Sequence, residues 1–94
     1  MSFLEQSQRV LEEVYRTFGI DATYTSASQT QTITLIQEKN YVVESGEMLV
    51  YKVRTSELAS VSLGDTIEIE GKTREIINFD QSEDGLELYI GVAR

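Results

Sequence analysis

The chain has no cysteine, no histidine, no proline and no tryptophan. Without cysteine there is no disulfide, no thiolate metal ligand and no sulfur nucleophile, and the redox compartment leaves no mark. Without histidine there is no imidazole acid–base catalysis and no histidine-activated serine. Without proline there is no proline-rich linker, and 94 residues leave room for one core only. No apolar run approaches the roughly 18 residues of a membrane span. The N-terminus, MSFLEQSQRV, lacks the basic start and apolar run of a secretion signal. The expectation is a single soluble domain over 1–94, away from any membrane.

Positive charge is also scarce. Eight Lys plus Arg face sixteen Asp plus Glu, for a formal net charge of −8. A nucleic-acid-binding domain needs a basic face to displace counterions from phosphates, so specific nucleic-acid binding is not expected. The same acidity keeps copies soluble and apart until a complementary surface appears.

What is present is clear periodicity. Ser2 and Glu5 form a capping box that predicts a helix from Phe3. Phe3, Leu4, Val10, Leu11, Val14, Tyr15 and Phe18 recur at three- and four-residue spacings and give 3–18 one apolar stripe, read as core packing with partner docking as the alternative. Gly19 is expected to end the helix in a left-handed conformation. From Asp21 the pattern becomes strands: 22–25 and 30–37, separated by Ser26-Ala27-Ser28-Gln29, then a hairpin of 41–44 and 47–55 around Ser45-Gly46. Ser56 to Val61 predicts one or two helical turns, and Leu63-Gly64-Asp65 turns the chain into the strand of Ile67 and Ile69. Gly71-Lys72 is expected to reverse it, with Ile69 opposite Arg74 and Ile67 opposite Ile76. A bulge is expected near Ile77-Asn78. Leu86, Leu88, Ile90 and Val92 alternate along the last strand. The fold class is α+β, mainly β: an N-terminal helix packed on an antiparallel β-sandwich or open barrel of about six strands, the β domain running over 21–92.

Three motifs invite a chemical reading. Gly71-Lys72-Thr73 closes a phosphate-binding loop in nucleotide-binding proteins, but that loop needs a glycine at position 66, where Thr66 stands, and a helix afterwards, where another strand is predicted. It reads as a hairpin turn. Asp80, Ser82, Asp84 and Gly85 match the opening of a calcium loop, yet the twelfth position, which needs a bidentate glutamate, is Gly91. They read as an acidic turn. No spacing brings two carboxylates into one pocket, and Glu68, Glu70, Glu75 and Glu87 read as a solvated outer face of the sheet. No cofactor, metal site or catalytic residue is expected, and the chain is not read as an enzyme.

Val53-Arg54-Thr55-Ser56-Glu57-Leu58, followed by Leu63-Gly64-Asp65-Thr66-Ile67-Glu68-Ile69, resembles the bacteriophage head-tail joining (head-tail attachment) family of the lambda type. Ala22-Thr23-Tyr24-Thr25-Ser26 resembles that family's first strand after the N-terminal helix, and Leu88-Tyr89-Ile90-Gly91 its last strand. Ser26 to Met48 departs from the pattern. The resemblance implies a virion neck protein, made in the host cytoplasm, that completes the filled head and presents a surface to the tail. Its implied partners are portal-side and tail-side neck proteins and further copies of itself in a ring. The interaction candidates are Lys39, Asn40, Tyr41, Val42, Val43, Lys52, Arg54 and Lys72. Glu68, Glu70 and Glu87 are candidates to line a channel for DNA. Segments 26–29 and 37–46 are expected to be mobile until assembly. The competing reading is a non-catalytic small β-barrel module for a ligand or oligosaccharide, with Tyr24, Tyr41, Tyr51 and Tyr89 as its aromatic platform.

Overall fold

The computed structural model describes residues 3–38 and 48–93, with side chains from Arg9 onward. Helix α1 spans Phe3–Phe18, and six strands follow: β1 (Ile20–Thr25), β2 (Thr30–Gln37), β3 (Met48–Arg54), β4 (Thr66–Ile69), β5 (Lys72–Gln81) and β6 (Glu87–Ala93). The Ser2–Glu5 capping box and the 41–46 half of the expected hairpin lie outside what is described.

The strands close into an antiparallel barrel in the order β1-β2-β3-β6-β5-β4. The sequence left sandwich and open barrel as alternatives; closure comes from a pairing distant in the chain, Thr23 with Glu68 through Thr25 with Thr66. That ladder joins β1 to β4 and consumes two sheet edges that would otherwise offer unpaired backbone groups. Strand β5 serves two neighbours. Its start pairs with β4 from Lys72 to Glu75, its end pairs with β6, and the register slips between Ile76 and Asn78. The expected bulge is therefore where β5 bends from one partner to the other.

Alternation places Ala22, Tyr24, Ile33, Leu35, Tyr51, Val53, Ile67, Ile69, Ile76, Leu88, Ile90 and Val92 in the bore, joined by Leu58 and Val61 from the β3–β4 connection. A fully buried Leu, Ile or Val contributes about 1.5–3 kcal/mol, so this row is the main source of stability.

Four local expectations are corrected. The β4–β5 turn is Glu70-Gly71, not Gly71-Lys72: Ile69 pairs with Lys72 and Ile67 with Arg74. Both turn residues have positive φ, 52° and 81°, which matches the twist of a two-residue hairpin. The shift is even in register, so the inward face is unchanged. Gly19 does not adopt a left-handed conformation; a Cβ there would collide with the Thr34 methyl and the Tyr15 carbonyl, so glycine is needed for close approach of α1 to β2. Ser56 to Val61 forms no helix beyond a single turn, in which Arg54 C=O accepts from Glu57 and Leu58 N–H, both at 3.0 Å. The chain must then run inward so that Leu58 and Val61 can plug the bore.

The fourth correction concerns α1. At 100° per residue its apolar positions from Val10 to Phe18 cover an arc of about 140°. Only Tyr15, at one margin, is buried (1% exposed), whereas Val10 is 62% and Phe18 70% exposed. From Val10 on, the stripe is not packed into the core as expected, because the bore is filled by strand residues and the helix rests on the outside of the wall.

Candidate functional site

The outer wall beneath α1 is polar. Lys52 and Arg54 alternate outward on β3, Glu87 outward on β6, and the register sets Arg54 opposite Glu87. The Tyr15 hydroxyl donates to Glu87 Oε2 at 2.8 Å, Lys52 Nζ lies 3.7 Å from the same oxygen, and the Arg54 guanidinium sits 4.9 Å over the Tyr15 ring. Burial and then the Glu87 carboxylate push the Tyr15 hydroxyl well above the ordinary tyrosine range. It stays a proton donor at any physiological pH.

Beside this junction the barrel has a seam. Strand β2 pairs with β3 at Ile36–Lys52 and Gln37–Tyr51, so the start of β2 needs other partners on that side. The turn after β3 supplies them. Thr34 N–H donates to Glu57 Oε1 at 2.6 Å, and Gln31 Nε2 donates to the Glu57 carbonyl at 2.6 Å. Arg54 holds the glutamate from behind, at 3.6 Å. The segment Val53 to Leu58 is thus a plug for an open sheet edge.

The Gly64-Asp65 turn is built comparably. Gly64 has φ 94°, and Asp65 N–H donates to Ser62 C=O at 3.2 Å. The Asp65 carboxylate accepts from Ser62 N–H at 2.9 Å and from the buried Tyr24 hydroxyl. Burial and then that hydrogen bond raise the Tyr24 pKa from 10.0 to about 12. In the β5–β6 turn, Asp84 accepts from Leu86 N–H at 3.0 Å and from the Ser82 hydroxyl at 2.7 Å, which lowers its pKa. The calcium-like spacing organises a β5–β6 turn, and among the described residues no acidic group of three or more is placed to hold a metal.

These segments, the edge plug and the Gly-Asp strand entry, are the ones that carry the phage resemblance. A family model described as the Phage Head-Tail Attachment protein matches residues 4–91. The chain belongs to that family. No curated protein matches it significantly.

In this head-tail attachment protein the candidate residues separate. Glu68 on β4 and Glu70 in the turn are exposed, together with Glu75 and Lys72. Glu68 and Glu75, with Glu70 at the turn end, share the outward β1-β4-β5 face with Asp21, Thr23, Thr25, Thr66 and Thr73, whereas Lys72, paired with Ile69, follows the inward alternation at the start of β5. Glu87 does not belong to a solvated face: its side chain is 14% exposed under α1 and engaged by Tyr15 and Lys52. Lys52 and Arg54 likewise pair within the chain. Lys39, Asn40, Tyr41, Val42 and Val43 lie outside the described residues.

The aromatic platform of the ligand-binding alternative is not assembled, since Tyr24 and Tyr51 are 3% and 5% exposed in the bore. The clefts along α1, about 120 and 280 Å³, fall short of the roughly 300–1,000 Å³ that buries a small ligand. Sequence reasoning missed the structural parts of Tyr15 and Glu57. Tyr15 was absorbed into the apolar stripe, and the one available signal for Glu57 was its three-residue spacing from Arg54 in a turn.

Proposed function

We propose that the chain is a structural neck protein that completes the DNA-filled head and joins it to the preassembled tail, acting as a ring of copies and without catalysis. The family match over 4–91 carries this reading. The edge plug and strand-entry turn support it, because their polar side chains are spent on rigidity. Assembly takes place in the host cytoplasm, with portal-side and tail-side proteins as partners. Lys72 and residues 39–43 are the proposed contacts to those neighbours. With a net charge of −8, copies repel in solution and assemble on a template. Deleting the gene from the encoding phage tests the reading: full heads beside free tails are expected, and adding purified protein should restore joining. Tailed particles forming normally without it would refute the role.

The β1-β4-β5 face extends the proposal to the channel. Its carboxylates and threonines suit a wall that DNA phosphates slide past without binding. Reversing Glu68 and Glu70 to lysine should leave joining intact and slow genome ejection. Failed joining with unchanged ejection from the particles that form would assign these residues to an interface.

A further inference from the structure

Helix α1 is docked on the barrel without being part of it. The strands close without the helix, and the core cluster draws on the strands, Leu58 and Val61 but on no described side chain of α1. Among the side chains described from Arg9 on, Tyr15 is the one that α1 buries. Beneath the others the contact is open. The two clefts, of about 120 and 280 Å³, separate Leu11, Glu12, Tyr15 and Arg16 of the helix from the wall around Arg54, whereas well-packed interiors hold few voids larger than a water molecule. Arg54 lines both clefts, and its Nε is buried with no hydrogen-bond partner among the described residues. The docked position thus leaves a donor unsatisfied, and water entering an opened cleft would satisfy it.

What holds the helix is local. The Tyr15 hydroxyl donates to Glu87, and its ring lies under the Arg54 guanidinium. Withdrawing Tyr15 strands no charge on the wall, because Lys52 still pairs with Glu87 and Arg54 with Glu57. Between Phe18 and Ile20, Gly19 alone joins helix to barrel. The docked pose requires glycine, since a Cβ would collide with the Thr34 methyl and the Tyr15 carbonyl, and glycine also has the backbone freedom to leave that pose. We infer that α1 is a releasable cover, closed in the free protein by the Tyr15 latch and swung off about Gly19 in the copy that joins the neck. This rests on the neck reading above. Arg54, Thr55 and Ser56, along the smaller cleft, belong to the stretch from Val53 to Leu58 that carries the family resemblance. The cover screens that stretch until assembly, so only the open fraction of free copies is competent to join.

The natural absence of cysteine allows the cover to be locked. Glu12 and Ser56 are exposed and line the same cleft from its two sides. Glu12→Cys with Ser56→Cys is bridged by a short bis-methanethiosulfonate reagent, a link that reductant removes. The bridged protein should join heads to tails at least about tenfold less efficiently, and reductant should restore joining to within about twofold. Each single variant, treated likewise, should join normally. Equal joining by bridged and unbridged protein, or a loss that reductant does not reverse, would overturn the inference and leave the neck role standing. Tails joined to heads that lack the chain would overturn both. Tyr15→Phe opens the latch instead. Loss of the hydrogen bond raises the open fraction about five- to tenfold, so the concentration for half-maximal joining should fall by about that factor although the variant melts lower. An unchanged or higher concentration, which a purely structural hydroxyl predicts, would reject the cover.

Discussion

Replacing Glu57 tests the account of the barrel seam. Glu57→Ala removes the acceptor of Thr34 N–H, at 2.6 Å, from a half-buried site where no strand among the described residues takes its place. An orphaned donor costs about 1–3 kcal/mol. The Arg54–Glu57 pair, with side chains 19% and 26% exposed, adds under about 1 kcal/mol. The expected loss is about 1–4 kcal/mol, a sizeable share of the roughly 5–15 kcal/mol that holds such a domain. Glu57→Gln keeps an acceptor and should cost about 1 kcal/mol. Urea unfolding followed by circular dichroism gives the free energies, and amide exchange at Thr34 gives the local effect, rising in the alanine variant before the rest of β2. If Glu57→Ala stays within about 0.5 kcal/mol of the parent with Thr34 equally protected, the seam does not depend on this side chain.

Tyr15→Phe removes the hydroxyl that holds Glu87 but keeps the ring under Arg54; because Lys52 still attends Glu87, the loss should be about 1–2 kcal/mol, seen as a Tm lower by about 5–10 °C. An unchanged Tm would mean that the helix is held otherwise. Gly19→Ala places a Cβ against Thr34 and the Tyr15 carbonyl and should cost about 1–3 kcal/mol, with NMR shifts concentrated at Thr34 and the end of α1; a neutral substitution would show that the approach relaxes freely. Alkaline pH supplies the remaining test. The folded state holds the Tyr15 and Tyr24 protons more tightly than the unfolded chain does, so this stabilisation is complete below pH 10.0 and lost as pH rises through about 12, the folded value for Tyr24. Flat stability across that window, with every tyrosine titrating together in ultraviolet absorbance, would contradict it.

Most strands were legible because one face of each is buried. Thr30–Gln37 and the Leu88, Ile90, Val92 alternation follow from period two, and the bulge at Ile77-Asn78 from its local failure. Closure was not legible, since the Thr23–Glu68 pairing links residues far apart in the chain. The turn at Glu70-Gly71 was placed one residue late because glutamate rarely takes positive φ. The helix period was right but its docked face was not: periodicity locates an apolar arc and cannot say how much of the arc a polar wall will cover. Glu87 shows the same limit, as alternation turns it outward and only the tertiary fold puts α1 above it.

The seam also divides the molecule in a particular way. Helix α1, β1 and β2 form one contiguous stretch, β3 to β6 another, and the chain crosses between them once. Elsewhere the halves meet through the short β1–β4 and β2–β3 ladders, the shared bore, the Tyr24–Asp65 and Gln31–Glu57 hydrogen bonds and a reciprocal clasp, Tyr15 reaching from the first half to Glu87 and Glu57 reaching back from the second to Thr34. A single crossing means that the whole N-terminal half can be traded between two copies with every one of these contacts remade across the pair. The barrel thus carries, in its topology, a route to domain exchange that needs no new surface.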